Sequence, residues 1–578
     1  MRASTVLGVA AAALLGGCGQ LGPGAMAPVN QCRADGDCVG GVCDVERGMC
    51  VAGADDPLAV LLHVVPSSEP FGLNPVSYTF GPVDATVPAG PELELPLGTR
   101  ITGRVRHGAE LVTADLTFTL MPELEGEVPT RVRVQSSAEA LGEVDGRPTN
   151  VVAQLQAGRT YDVRVEPTGE WRSRVPPQYR TIQTPEDPVL VPNLVFETGG
   201  AEQDPLVELA GVVLDPFGEP EAGVTVTCLD RESGRLLSSI GVTGEDPERG
   251  PGYFKVFLPP YTTDWVLQVR ATSERTFAGD LLPTFEVAPD FIAVNADDEL
   301  TVQSPAAPTV IRYQALVEAP ATEGAGFAGV EPVPNAQVVL RSRGIEDATT
   351  GLLGTYRTTV TTDDSGVFEA QVLPGAYDVV ITPQERAWGV LYQEVVIDPP
   401  AGRDEVVGQL FTLPARTRYL ATVEAPDGEP VAGATVRAEV RSPGDLAEAL
   451  GEASRFARSV ESTTDELGHV ELGLEVGRYD LIVLPPDGTN FPWRIETDLA
   501  IDGTEDRREE VLALDEPVVL AGRARHLLQS ESERRPVEGL VRAFGFVAEP
   551  DGDRRTVLLG EGATDAEGRF ELLLSPAR

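Results

Sequence analysis

The chain has 578 residues, 42% of them hydrophobic and 23% charged, with a formal net charge of -45. That length exceeds what a single core organises, the composition is that of a folded globular protein, and the charge repels nucleic acid and anionic lipid surfaces. The acidity reads as a solvated, self-repelling exterior, and Lys255 is the only lysine in an otherwise arginine basic set.

Residues 1–17, ending ALLGG before Cys18, combine one arginine, an apolar run too short to span a bilayer, and small residues before a cysteine. This pattern predicts a secretory signal peptide. Leu15-Gly16-Gly17-Cys18 resembles the bacterial lipobox. The resemblance implies that Cys18 is lipidated and becomes the first mature residue, and Gly19 after it implies the outer membrane. Acyl chains contribute about 0.8 kcal/mol per buried CH₂, enough for anchoring by a multiply acylated cysteine. No later apolar run is long enough to cross a bilayer, so the lipid is the expected anchor and the membrane the expected partner.

Residues 18–31 read as a tether. Residues 32–50 form a small module with Cys32, Cys38, Cys43 and Cys50. Four closely spaced cysteines in an exported chain predict two disulfides, with three connectivities open. Zinc is disfavoured because there is no CxxC pair and no nearby histidine. The spacing resembles short cysteine-rich inserts of bacterial surface lipoproteins. Asp35-Gly36-Asp37 offers too few oxygens for calcium and reads as a turn.

From residue 58 onward one β-rich unit recurs. Its first strand appears around Gly103, Gly211, Ala315, Ala421 and Gly522, at intervals of roughly 100–110 residues, which is domain-sized. A turn follows as Pro220-x-x-Gly223, Pro332-x-x-Asn335, Pro430-x-x-Gly433 and Pro536-x-x-Gly539. Proline presets the entry, and Gly or Asn accepts a left-handed exit. A second turn, TDDSGVF, TDELGHV or TDAEGRF, predicts an aspartate cap and a positive-φ glycine at Gly366, Gly468 and Gly568. Tyr161, Tyr261, Tyr377 and Tyr479 stand near the closing strand and read as core or corner residues.

These landmarks resemble the carboxypeptidase regulatory-like domain, clearly over most of 207–486 and more weakly over 97–167. The resemblance implies an all-β tandem array of transthyretin- or Ig-like β-sandwiches. The expected divisions are a partial β unit at 58–95, a sandwich at 96–200, regulatory-like sandwiches at 205–305, 308–412 and 414–515, and a truncated sandwich at 517–578. The last unit stops before its tyrosine-bearing strand. That leaves Phe570, Leu572 and Leu574 on an uncovered face, and predicts either a longer chain or a strand donated by a partner.

Little chemistry is legible. The four histidines lie in distant segments, and no HExxH, GxSxG or P-loop is present. His107 and Glu110 spell H-x-x-E without any other feature of a zinc hydrolase. Cys228 shares a strand face with Val224 and Val226 and reads as a buried, inert thiol. Trp171, Trp265, Trp388 and Trp493 occur near closing strands, where packing at domain joins is expected and sugar stacking is the alternative. The sequence thus predicts no enzyme, no catalytic or metal-ligating residue and no cofactor. It predicts a surface lipoprotein, a scaffold or adhesin with a carbohydrate or protein ligand whose binding residues are unassigned. The rival is an accessory subunit positioning a separately encoded hydrolase.

Overall fold

The computed structural model describes residues 41–44 and 49–52 and, apart from short internal segments, 58–576. The signal peptide, Cys18, the tether, Cys32 and Cys38 lie outside the described residues. Strands Gly41–Asp44 and Met49–Ala52 form an antiparallel hairpin whose register sets Cys43 opposite Cys50. Among the described residues all remaining regular structure is β apart from two short 3₁₀ turns, and it forms a tandem array of β-sandwiches. No helix among the described residues is long and apolar enough to cross a membrane.

Each sandwich buries one face of each of two sheets, one antiparallel and one that includes a parallel pair. In the 417–513 sandwich, Thr417–Glu424 alternates Tyr419, Ala421 and Val423 inward. Thr435–Val440 and Gly477–Leu484 do the same with Val436, Ala438, Tyr479, Leu481 and Val483. Period-two alternation is what a pleated strand requires to fill a core on one side and face water on the other. The first and last strands of a unit always pair in parallel. Thr99–His107 takes Asn193–Thr198, and Val207–Leu214 takes Leu300–Gln303. Ile311–Pro320 takes Glu405–Thr412, and Thr417–Glu424 takes Arg507–Ala513.

The segments 58–95 and 517–578 are not separate units, contrary to the sequence reading. Strand Ala59–Pro66 pairs with Gly539–Ala548, and Tyr78–Asp84 extends that sheet. Strand Glu92–Pro96 pairs in parallel with Val518–Leu527, the place that Arg507–Ala513 takes in the preceding unit. Leu58, Val60, Leu62, Leu93 and Leu95 share one core with Leu520, Val541, Phe570, Leu572 and Leu574. The face expected to be uncovered is therefore buried, Phe570 to 3%, Leu572 to 2% and Leu574 to 0% exposure. The missing strand is supplied by the chain itself, and Ser67 Oγ donates to the Glu538 carbonyl at 2.8 Å across 471 positions. We call this domain the split sandwich.

The turn chemistry is as the motifs imply. The carboxylates of Asp363, Asp465 and Asp565 accept from backbone amides two and four residues ahead at 2.7 to 2.9 Å. Gly366, Gly468 and Gly568 follow at φ 75, 73 and 76. The preceding threonine also ties two loops. Thr464 Oγ1 accepts from Ala434 N at 2.9 Å and donates to the Val431 carbonyl at 2.7 Å. Thr362 and Thr564 repeat this arrangement, and Ser136 makes the same pair of bonds where no T-D motif exists.

Two landmarks differ from expectation. Gly223, Asn335 and Gly433 have positive φ, but Gly539 does not. Its constraint is space, since a Cβ there would sit 2.4 Å from the Val65 carbonyl oxygen. Tyr261 is no core residue. It is 83% exposed in a turn at φ 62. Trp265, opposite Asp230, takes the register place that Tyr377 has opposite Ser342 and Tyr479 opposite Val440. Tyr377 and Tyr479 are buried corners whose hydroxyls accept from and donate to the backbone of Leu373 and Glu475. Tyr161 accepts from Gln156 N at 2.9 Å, and burial pushes its hydroxyl up to about 12.

Candidate functional site

Among the side chains singled out in the sequence, Trp388 and Trp493 stand at junctions between sandwiches. Between the 99–198 and 207–303 sandwiches, Arg172 O accepts from Ile240 N, and Tyr179 donates to Leu236 O beneath the Arg235 guanidinium, 4.6 Å from its ring. Strand Leu353–Thr355, which belongs to the 311–412 unit by sequence, joins the sheet of its predecessor beside Thr284–Val287. Trp388 is buried at the next junction and donates to Pro320 O at 3.2 Å. There Glu475 pairs with Arg416 at 2.8 Å and with Arg458 at 2.6 Å. Arg458 in turn donates to Pro383 O and Trp388 O, both in the other sandwich.

The split sandwich closes the row. Arg555 pairs with Asp480 of the 417–513 sandwich at 2.6 Å, and Gln156 of the 99–198 sandwich donates to Ser77 O at 2.7 Å. Each of the five sandwiches thus touches two others. Leu61 and His63, on the face of Ala59–Pro66 turned away from the core, are buried at the second of these contacts. His63 Nδ1 lies 3.0 Å from Thr79 Oγ1, and its ring meets Phe544 edge-on. Burial, and secondarily the charge of Arg542, holds the imidazole down at about 4, against a smaller upward pull from Glu127.

This depression makes the closure acid-sensitive. The contribution of neutral His63 is complete above its ordinary value of 6.5 and is lost as pH falls toward 4. The loss is on the order of 3 kcal/mol at full protonation. Urea unfolding of His63→Gln at stepped pH should show a shallower stability decline between 6.5 and 4 than the parent chain. Equal slopes would remove His63 from the account.

The H-x-x-E pair lies in one hairpin of the 99–198 sandwich. His107 and Glu110 face each other across a tight hairpin, and Glu110 reaches Arg174 at 3.5 Å. His107 lies against Trp171, with ring centroids 6.3 Å apart. Among the described residues there is no group of three or more His, Cys, Asp or Glu placed to hold a metal. Cys228 is fully buried, and burial pushes its thiol up to about 12.

A cavity of about 650 Å³ lies between the 417–513 sandwich and the split sandwich. One wall is Trp493 and the edge strand Arg494–Ile501; the other is Gly545–Val547 with Val557 and Leu559. Asp515 and Ser575, hydrogen-bonded to each other, line it as well. Arg494 donates to Ala513 O at 2.7 Å and lies 3.6 Å from Glu496. Burial, then the neighbouring Glu510 carboxylate, holds the Glu496 carboxyl above its ordinary range. Sequence reasoning marked Trp493 alone of this set, because the second wall comes from another unit.

No protein-family model and no curated protein sequence matches the chain. Solved structures with partial likeness include the Bacillus anthracis TIE protein, 10% identical over 72% of this chain and 73% of that one, TM-score 0.16. The Streptococcal ancillary pilin is 10% identical over 54% and 99%, TM-score 0.22. The shaft pilin SpaA from Lactobacillus rhamnosus GG is 11% identical over 36% and 97%, TM-score 0.19. At such scores these likenesses say nothing about what this chain binds.

Proposed function

We propose that the chain is a non-catalytic lipoprotein scaffold or adhesin, anchored through lipidated Cys18 in the outer membrane and presenting a closed row of five sandwiches to a carbohydrate or protein ligand. The carrying observation is the closure itself. Strands 59–96, which lie directly after the tether and cysteine module, complete the last sandwich, so the anchor side leads into a row whose ends support each other. Two disulfides among Cys32, Cys38, Cys43 and Cys50 would stiffen the step from tether to row. The register of Cys43 opposite Cys50 supports a bond between those two.

Cys18→Ser is expected to move the protein from the membrane fraction to the soluble fraction. Retention in the membrane would overturn the anchor. A pull-down from membranes that recovers a hydrolase in equal amount would replace the adhesin reading with that of an accessory subunit.

A further inference from the structure

We propose that the cleft between the 417–513 sandwich and the split sandwich is a binding site for a neutral oligosaccharide, and that it exists only when strands 59–96 have completed the split sandwich. This rests on the adhesin reading and names its site and ligand class. The cleft's volume of about 650 Å³ falls within the range of small-ligand sites, roughly 300–1,000 Å³.

The lining has the two kinds of group that a sugar ring needs. Trp493 and Phe546, both half-buried, line opposite walls, and aromatic side chains are the groups on which the C–H side of a pyranose packs. Arg494, Glu496, Thr497 and Ser575 supply donors and acceptors for a rim of hydroxyls.

Charge selects among sugars. Arg494 and Glu496 balance each other, and Asp515 adds a negative charge that an acidic glycan would meet unpaired. A cationic ligand is also poorly served. The Asp515 carboxylate already takes the Ser575 hydroxyl, and the Glu496 carboxylate already pairs with Arg494.

The dependence on residues 59–96 follows from topology. Phe546 belongs to Gly539–Ala548, a strand held on one side by Arg554–Ala563 and on the other by Ala59–Pro66. Strand 59–66 thus holds the strand of the second wall in place without being part of the cleft lining.

The test uses the full chain carrying Cys18→Ser, screened on an array of neutral and acidic glycans, with calorimetry on the strongest neutral oligosaccharide. Trp493→Ala and Phe546→Ala are each expected to weaken binding at least 10-fold. Trp493→Phe should retain most of it, and the exposed Tyr261→Ala should leave it unchanged. Melting temperatures equal to that of the parent exclude unfolding as the cause. Neutral-glycan binding untouched by both alanine variants would overturn this site while leaving the adhesin reading standing. Binding of acidic glycans only would overturn the ligand class. Binding of no glycan, with capture of a protein partner instead, would overturn the oligosaccharide site and leave a protein-binding scaffold.

Discussion

Leu62→Asp is expected to unfold the split sandwich and open the row while the other four sandwiches stay folded. Leu62 has no exposure and sits opposite Ala543, in the core that joins the two ends of the chain. A carboxylate there has no partner, and burying it costs more than about 4 kcal/mol. The C-terminal strands alone would then expose Phe570, Leu572 and Leu574. Amide exchange should show loss of protection across 518–574 and 59–96 together, with 311–412 and 417–513 still protected. Leu467→Asp, in a turn where the side chain is 61% exposed, is the matched control and should be silent. Protection of 518–574 that survives Leu62→Asp would show that the two ends fold separately.

Glu475→Ala is the second large effect. Its carboxylate is buried between Arg416 and Arg458, and Arg458 also donates across the junction to Pro383 and Trp388. Removing the anion leaves the buried Arg416 guanidinium and the partly exposed Arg458 without their common counter-ion. The cost of stripping one partner from a buried pair is about 3–5 kcal/mol. Glu475→Gln keeps some hydrogen bonding and should lie between. The stacking of Tyr392 on Phe456 at the same junction, with ring centroids 5.8 Å apart, should loosen with it. Denaturant unfolding measures this directly, and a loss below about 1 kcal/mol would mean that the ion cluster does not hold the junction.

Much of the unit was legible because it is written in local chemistry. Alternation along Thr417–Glu424 and Gly477–Leu484, the aspartate caps at 363, 465 and 565, and the corner tyrosines 377 and 479 each act within a few residues. The Thr464-type tie was half visible. Its threonine is in the motif, but Ser136 plays the same part with no motif around it, since one hydroxyl between two loops leaves no spacing to read. Tyr261 shows the opposite failure. A tyrosine near the right place was read as the corner, whereas strand pairing seats Trp265 there and leaves Tyr261 in the turn.

By itself the sequence determined that this protein is a repeat of β-sandwiches, because period-two patterning and turn residues depend on neighbours along the chain. Only the tertiary structure decided that the repeat closes. The last unit lacks its final three strands in order, and Ala59–Pro66, Tyr78–Asp84 and Glu92–Pro96 fill those places from the other end. Nothing local announces this, since Val60 stands where the sibling strands carry tyrosine. Strand pairing is a matter of backbone hydrogen bonds and complementary apolar faces, and these are indifferent to how much chain separates the partners. The cleft beside Trp493 was hidden for the same reason, because its second wall exists only once those distant strands have met.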